Sequence, residues 1–517
     1  MDGSRSTHDP KAGAQRPIAA RIVATLGPAS ESPEVVTKLI LAGVTVFRLN
    51  FSHGEFASHL ARLQTVRNVA HRLGRPTAVM GDLQGPKIRV GKVAPPGIML
   101  EAGQDVAFRV GLKEAAMENG VAILPTTYPD MVKEVVPGQR VLINDGAIRM
   151  LAVDADPGRG DLRARVTHGG LVTSGKGINL PESDVRAPAI TERDWACVEW
   201  AVENGLDFLA LSFVREAREV LELKERLAGV CSVRYDIDKS GQGSSIPVIS
   251  KIEKPQAVAN LDSIVQASDA VMVARGDLGV EMDIARVPIV QHRIIAACQQ
   301  WGKPCIVATQ MLETMTENAS PTRAEASDVA NAIFDGANAV MLSGETAVGK
   351  HPVLVLETMR RIIEAAEEEL NTTAADARPP ARIIEQKYRT AALAHGAWYL
   401  ARDVGARAVV CWSESGGSAR YLSQTGFRVP IVAYSSNPRS TRRMGLLRGV
   451  TAIETKPPSS GRLGDWATQV EKDLLARSWV KPGDSIILMA GKPLGVPKVV
   501  DSMAVMTIGD PTSGYRS

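Results

Sequence analysis

The chain has 517 residues, 44% apolar and 23% charged, an ordinary balance for a globular protein of more than one domain. Its formal net charge of +3 gives no basis for a nucleic-acid surface, and no apolar run approaches the roughly 20 residues of a membrane helix. Cys197, Cys231, Cys298, Cys305 and Cys411 are scattered without zinc-ligand spacing, which predicts buried thiols in a reducing cytoplasm.

Residues 1–17 are polar, lack the apolar core of a secretion signal and read as a mobile tail. Short apolar runs then recur, each ending in polar residues. Ile22–Ala24 precedes Thr25, Val44–Phe47 precedes Arg48, and Thr77–Met80 precedes Asp82. Phe208–Leu211 precedes Ser212, Val248–Ile249 precedes Lys251 and Glu253, and Ala270–Val273 precedes Arg275 and Asp277. Cys305–Val307 precedes Thr309 and Gln310, and Ala339–Leu342 precedes Ser343 and Glu345. Continuous apolar runs suit strands buried on both faces. Eight of them with helices between predict a closed (β/α)₈ TIM barrel over 18–88 and 187–370, with its chemistry where the strands end.

Helical patterns lie between the strands. Phe56, Leu60, Leu63, Val66, Val69 and Leu73 share one face, Thr191–Asp194 has capping-box spacing, and Ser320-Pro321 reads as a cap followed by a first-turn proline. The alternation breaks between Asp82 and Phe208. There the runs Gln139–Asn144 and Ile148–Val153 predict an inserted all-β lid domain over 89–186, able to exclude water from the barrel mouth. After a polar break over 371–380, Ala408–Cys411, Ile431–Tyr434, Ile486–Met489 and Ala504–Ile508 predict strands separated by helices in a C-terminal α/β domain over 381–517.

Glu253 and Asp277, at the ends of neighbouring strands, can hold a hard divalent ion such as Mg²⁺ completed by water and substrate oxygens. Lys251, one strand alternation from Glu253, suits a transferring phosphoryl group; a salt-bridged strand end is the structural alternative. Arg48-Leu-Asn-Phe-Ser-His-Gly54 gathers a guanidinium, an amide, a hydroxyl and an imidazole, and Lys87 and Arg89 add cations. Gly276 and Asp277 open a helix whose amides can take a carboxylate, and Thr309 adds a hydroxyl. The expected substrate is small and carries both phosphate and carboxylate.

With Ser250-Lys-Ile-Glu-Lys-Pro255, Met272–Glu281, Ala308–Leu312, Pro321–Glu325 and Met341–Thr346, these motifs resemble the pyruvate kinase family over nearly the whole chain. The resemblance implies transfer of the phosphoryl group of phosphoenolpyruvate to ADP, giving pyruvate and ATP, the last ATP-forming step of glycolysis, usually in a homotetramer. It implies Mg²⁺ (with Mn²⁺ able to substitute) on Glu253 and Asp277, Lys251 at the phosphoryl group and enolate, and Arg48 at phosphate. Gly276, Asp277 and Thr309 would hold the substrate carboxylate. Asn50, Phe51, Ser52, His53, Arg89 and Lys176 would bind the nucleotide. Thr309 or a water chain near Ser343 would deliver the proton.

Two departures from the family pattern carry expectations. Asn50, Ser52, Asp82 and the Leu83 carbonyl match K⁺ ligands, but Lys87 replaces a glutamate and predicts weak K⁺ dependence. Ser413, Ser415, Gly416, Gly417 and Ser418 resemble the effector loop, where Glu414 adds a repelling charge and Arg420, Arg442 and Arg443 could serve an anion. That predicts poor activation by fructose 1,6-bisphosphate, with a nucleotide or sugar monophosphate as effector. A metal-dependent lyase for 2-oxo acids and a non-catalytic metabolite sensor are the competing readings. Neither needs Lys176 and His53 for a second, nucleotide substrate together with an intact Lys251, Glu253, Asp277 and Thr309.

Overall fold

The computed structural model describes residues 18–235, 245–373, 385, 387–497 and 500–516. The tail expected over 1–17 and the C-terminal domain start expected at 381 lie outside them.

Each apolar run forms a strand: Arg21–Thr25, Val44–Asn50, Ala78–Asp82, Phe208–Leu211, Val248–Ile252, Ala270–Ala274, Cys305–Ala308 and Ala339–Leu342. The eight close into a parallel barrel in chain order, the first strand pairing with the second at Thr25↔Arg48 and with the eighth at Ala24↔Leu342. Alternate residues point inward. Val23, Val46, Met80, Ile249, Met272, Ile306 and Met341 fill the interior, where Leu446 of the C-terminal domain joins them. The opposite alternation packs under the helices. The interior is therefore solid, and reactive groups can gather only at the rim.

The Thr191 capping box forms, with Thr191 Oγ1 accepting from the Asp194 amide at 3.1 Å. Ser320-Pro321 does not open a helix. Thr322 is the cap of Arg323–Phe334, because Thr322 and Glu325 exchange both capping-box bonds and leave the proline outside. On the helix Phe56–Leu73, His59 and Ala70 join the buried face, while Phe56 is exposed and stacks on Trp200 with ring centroids 5.7 Å apart.

The insertion between the third and fourth barrel strands carries a seven-stranded sheet and a two-stranded ribbon, packed round Phe108, Leu124, Val141 and Leu162. It meets the barrel at a buried carboxylate: Glu281 Oε1 accepts from Asn179 Nδ2 at 2.8 Å and from Lys254 Nζ at 2.7 Å.

The C-terminal sheet has five strands where four were expected. Val450–Glu454 adds a half-buried edge strand whose weak apolar signal hides it in the sequence. Ser485–Ala490 and Ser502–Thr507 pair antiparallel, with no helix among the described residues between them. Asp207, fully buried below the fourth barrel strand, joins the two domains. Its carboxylate takes Arg67 Nη2 and Arg442 Nε, both at 2.8 Å, and its carbonyl takes Arg443 Nε at 3.1 Å.

Candidate active site

The fifth barrel strand sets the centre of the site. Lys251 and Glu253 are two residues apart at its end, so the pleat turns both toward one side. Lys251 Nζ lies 2.7 Å from Glu253 Oε1, 3.4 Å from Asp82 Oδ1, and donates to Ser212 Oγ at 2.7 Å. Ser212 passes the hydrogen bond on to the Leu83 carbonyl at 2.6 Å. Arg48 enters from the second strand, with Nε on Asp82 Oδ2 at 2.6 Å and Nη1 on Thr25 Oγ1 at 3.2 Å. Two cations and two buried carboxylates thus share the rim, with Asp277 close enough to act on both Lys251 and Glu253.

Their titration follows from that packing. Burial works against the Lys251 charge, but Asp82, Glu253 and Asp277 outweigh it and hold the ammonium well above the usual lysine range. Burial pushes the Glu253 carboxyl up to about 7; Lys251 pulls it down and the Asp277 charge pushes it further up. For Asp82, burial is overcome by Lys251 and Arg48, which hold its carboxyl below the usual range. Glu253 Oε2 accepts from the Phe213 amide at 2.6 Å, whereas Oε1 has the Lys251 ion pair but no directed hydrogen bond. A buried carboxylate oxygen with a free lone pair beside a second carboxylate fits a hard cation. Among the described residues no three His, Cys, Asp or Glu side chains converge as a closed cage. The donor set is therefore one that substrate oxygens and water would complete.

The sixth and seventh strands build the other wall. Arg275–Glu281 is a short helix in which the Gly276 amide donates to Thr309 Oγ1 at 2.7 Å. A Cβ on Gly276 would stand 3.3 Å from that hydroxyl, so glycine allows the approach. Thr309 and Gln310 have φ of 65° and 53°, a left-handed pair that a β-branched residue enters only under constraint. Ser343 caps the turn after the eighth strand, and its buried Oγ has no hydrogen-bond partner.

The expected nucleotide residues fall in two places, Asn50–His53 at the end of the second barrel strand and Arg89 with Lys176 at the start and end of the lid. Asn50 Oδ1 accepts from the Ser52 amide at 3.1 Å, and His53 is exposed. Arg89 Nη1 donates to the Gly175 carbonyl at 2.8 Å, and the Lys176 carbonyl accepts from the Val90 amide at 2.8 Å. The Phe51 ring is buried edge-on against His59 and Trp200, at 5.2 and 5.6 Å, and its amide donates to the Asp82 carbonyl at 3.0 Å, which leaves only its carbonyl for a ligand. Lys87 is exposed, with its Nζ and Asp145 Oδ1 both 4.0 Å from where a Gly177 Cβ would stand.

In the C-terminal domain Ser413, Glu414, Ser415, Gly417 and Ser418 line a cavity of about 340 Å³ with Arg389, Arg420 and Tyr421, while Gly416 turns the loop in the left-handed region without lining it. Glu414 turns to its own protein, with Oε1 accepting from Ser436 Oγ at 2.6 Å and Oε2 from Trp412 Nε1 at 3.0 Å. Arg442 and Arg443 do not reach this cavity, because Asp207 holds them at the barrel; of the three arginines expected there, Arg420 alone lines it. Ser212 and Glu345 stand out in the sequence as polar residues at strand ends but carry no individual role there, and Phe213 is missed because it acts through its backbone amide.

The chain matches two family models, described as the pyruvate kinase barrel domain over residues 18–356 and the pyruvate kinase alpha/beta domain over residues 391–506. It is 41% identical to a protein named pyruvate kinase from Mycobacterium intracellulare over 494 residues, covering 95% of this chain and 98% of that one. A protein of the same name from Corynebacterium glutamicum is 38% identical over 492 residues, with the same coverage. The crystal structure of a pyruvate kinase from Cryptosporidium parvum superposes with a TM-score of 0.84 at 32% identity, over 95% of this chain and 96% of that one.

Proposed function

We propose, from the premise that the chain belongs to the pyruvate kinase family and transfers the phosphoryl group of phosphoenolpyruvate to ADP, that Lys251, Arg48, Glu253 and Asp277 carry that transfer. The observation behind this reading is the Glu253 Oε1 atom, buried without a directed hydrogen bond and 2.7 Å from the Lys251 ammonium. The family generally needs a divalent metal and K⁺. Glu253 and Asp277 would hold Mg²⁺, or Mn²⁺ in its place, which when bound neutralises charge on phosphoryl and enolate oxygens. Lys251, kept protonated by its carboxylate neighbours, meets the charge spread over the phosphoryl oxygens as the bond to the enol oxygen breaks. Arg48 orients the phosphate, itself fixed by Asp82 and Thr25. Gly276, Asp277 and Thr309 hold the carboxylate.

As the phosphoryl group reaches an oxygen of the ADP β-phosphate, the enolate left behind takes a proton at carbon to become pyruvate. Thr309, or water held near the unpartnered Ser343 hydroxyl, supplies it. Asn50–His53, Arg89 and Lys176 receive ADP where lid meets barrel. Mn²⁺ titration followed by electron paramagnetic resonance tests the metal assignment. Glu253→Gln and Asp277→Asn should each weaken Mn²⁺ binding by about a hundredfold or more, since losing even a residue that only orients a ligand costs roughly ten- to a hundredfold; unchanged affinity in both refutes it.

The division into barrel (18–88 and 187–370), lid (89–186) and C-terminal domain (381–517) belongs to the same proposal. So do a homotetramer, by family resemblance, and a cytoplasmic location, supported by five free, buried cysteines. No described helix is long and apolar enough to cross a membrane. The cavity beside Ser413–Ser418 is assigned to a nucleotide or sugar monophosphate, since Arg389 and Arg420 offer it cations while Glu414 opposes a second phosphate at the loop.

A further inference from the structure

Two buried charges that the scheme above leaves idle grip the turn bearing Thr309. Arg275, 7% exposed, sends Nε and Nη2 to the Thr309 carbonyl at 3.2 and 2.9 Å, and Nη2 also to the Gln310 carbonyl at 2.7 Å. Its Nη1 rests on Asp328 Oδ2 at 3.0 Å. From the other side Glu345, 1% exposed, accepts the Leu312 amide on Oε1 at 3.2 Å and the Ser343 amide on Oε2 at 2.7 Å. One carboxylate therefore ties the turn after the seventh strand to the residue that ends the eighth. Both tethers act on backbone. Because Thr309 and Gln310 sit in the left-handed region, that backbone needs holding. The Thr309 hydroxyl has fixed partners in the Gly276 amide and the Ala308 carbonyl, so it follows the turn. The Ser343 hydroxyl has none, so its place depends on the main chain that Glu345 holds.

The geometry points to Arg275 and Glu345 as positioning residues that fix the Thr309 and Ser343 hydroxyls relative to each other for protonation of the enolate. In that step a C–H bond forms at the enolate carbon while the donor O–H bond, of a side chain or of water held by one, breaks; the donor regains its proton from solvent. Neither Arg275 nor Glu345 touches the reacting atoms. The inference rests on the proposed proton path through Thr309 or Ser343.

The test uses the full-chain enzyme with Mg²⁺. It measures kcat, the KM for phosphoenolpyruvate, and deuterium wash-in at the pyruvate methyl group in D₂O with ATP, followed by NMR. Glu345→Gln and Arg275→Ala should each slow wash-in and kcat by about tenfold or more with KM little changed, since a 1 Å displacement can cost up to about a hundredfold. Arg275→Lys should recover part of the loss. Wild-type wash-in, or a loss confined to KM, overturns the inference. Should those variants not fold, Asp328→Asn, which loosens Arg275 from the half-exposed end, should still slow wash-in, and a wild-type rate there overturns it equally. Thr309→Val and Ser343→Ala separate the two failures. If neither slows wash-in, the proton path is wrong and the inference falls with it. If either does while Glu345→Gln does not, the positioning role alone is wrong.

Discussion

At Lys251 three carboxylates outweigh the penalty of burial, and the side chain stays charged where a lysine among apolar neighbours would lose its proton. That balance ties the proposed catalytic ammonium to the carboxylates proposed to hold the metal. The expected K⁺ ligands have protein partners, with Asp82 on Arg48 and the Leu83 carbonyl on Ser212, and Lys87 adds an exposed ammonium. Turnover in Mg²⁺ buffer should therefore be nearly the same with tetramethylammonium as with K⁺ as the only monovalent cation. A large stimulation by K⁺ would contradict this. Lys251, Glu253, Asp82 and Arg48 were legible as residues because each closes an apolar run. Their pairings were not, because contacts between strand ends depend on barrel register, and runs that are apolar on both faces carry no alternation to mark it.

Among the elements, strands were easier to read than helix starts. A strand buried on both faces leaves a continuous apolar run, whereas Ser320, Pro321 and Thr322 all suit a helix entry and only the reciprocal bonds with Glu325 choose Thr322. Glu325 also accepts the Thr314 amide at 2.7 Å, so this cap anchors the segment that follows the Thr309 turn. Thr322→Ala should cost about 1 kcal/mol, the usual value of an N-cap hydroxyl, read as a lower midpoint in urea; Ser320→Ala should leave the midpoint unchanged. The edge strand Val450–Glu454 escaped notice for the opposite reason, since half-burial leaves too few apolar residues to stand out.

Across the whole molecule, the buried Asp207 is the joint between the barrel and the C-terminal domain. It draws Arg442 and Arg443 from the C-terminal domain to the base of the barrel, away from the cavity beside Ser413–Ser418 where the sequence alone would place them. Asp207→Ala would strand partly buried guanidinium groups and should destabilise the protein by about 3 kcal/mol or more; calorimetry checks this through a lowered or split unfolding transition. With Arg442 and Arg443 committed and Glu414 beside the loop, micromolar fructose 1,6-bisphosphate should activate poorly in a kinetic titration, and strong activation would refute the assigned effector class. Long-range pairings of this kind leave no trace in spacing or periodicity, whereas the barrel's alternation of strand and helix does.

The proposed transfer needs an ammonium and two carboxylates meeting at one rim to pass a phosphoryl group to a nucleotide. Pyruvate formation from phosphoenolpyruvate, followed with and without ADP in the wild type and in Lys251→Met, tests it directly. The expected result is wild-type turnover that requires ADP and falls by about a hundredfold or more in the variant, the scale for losing a transition-state charge partner. ADP-independent turnover, or a Lys251→Met enzyme as fast as the wild type, would contradict it.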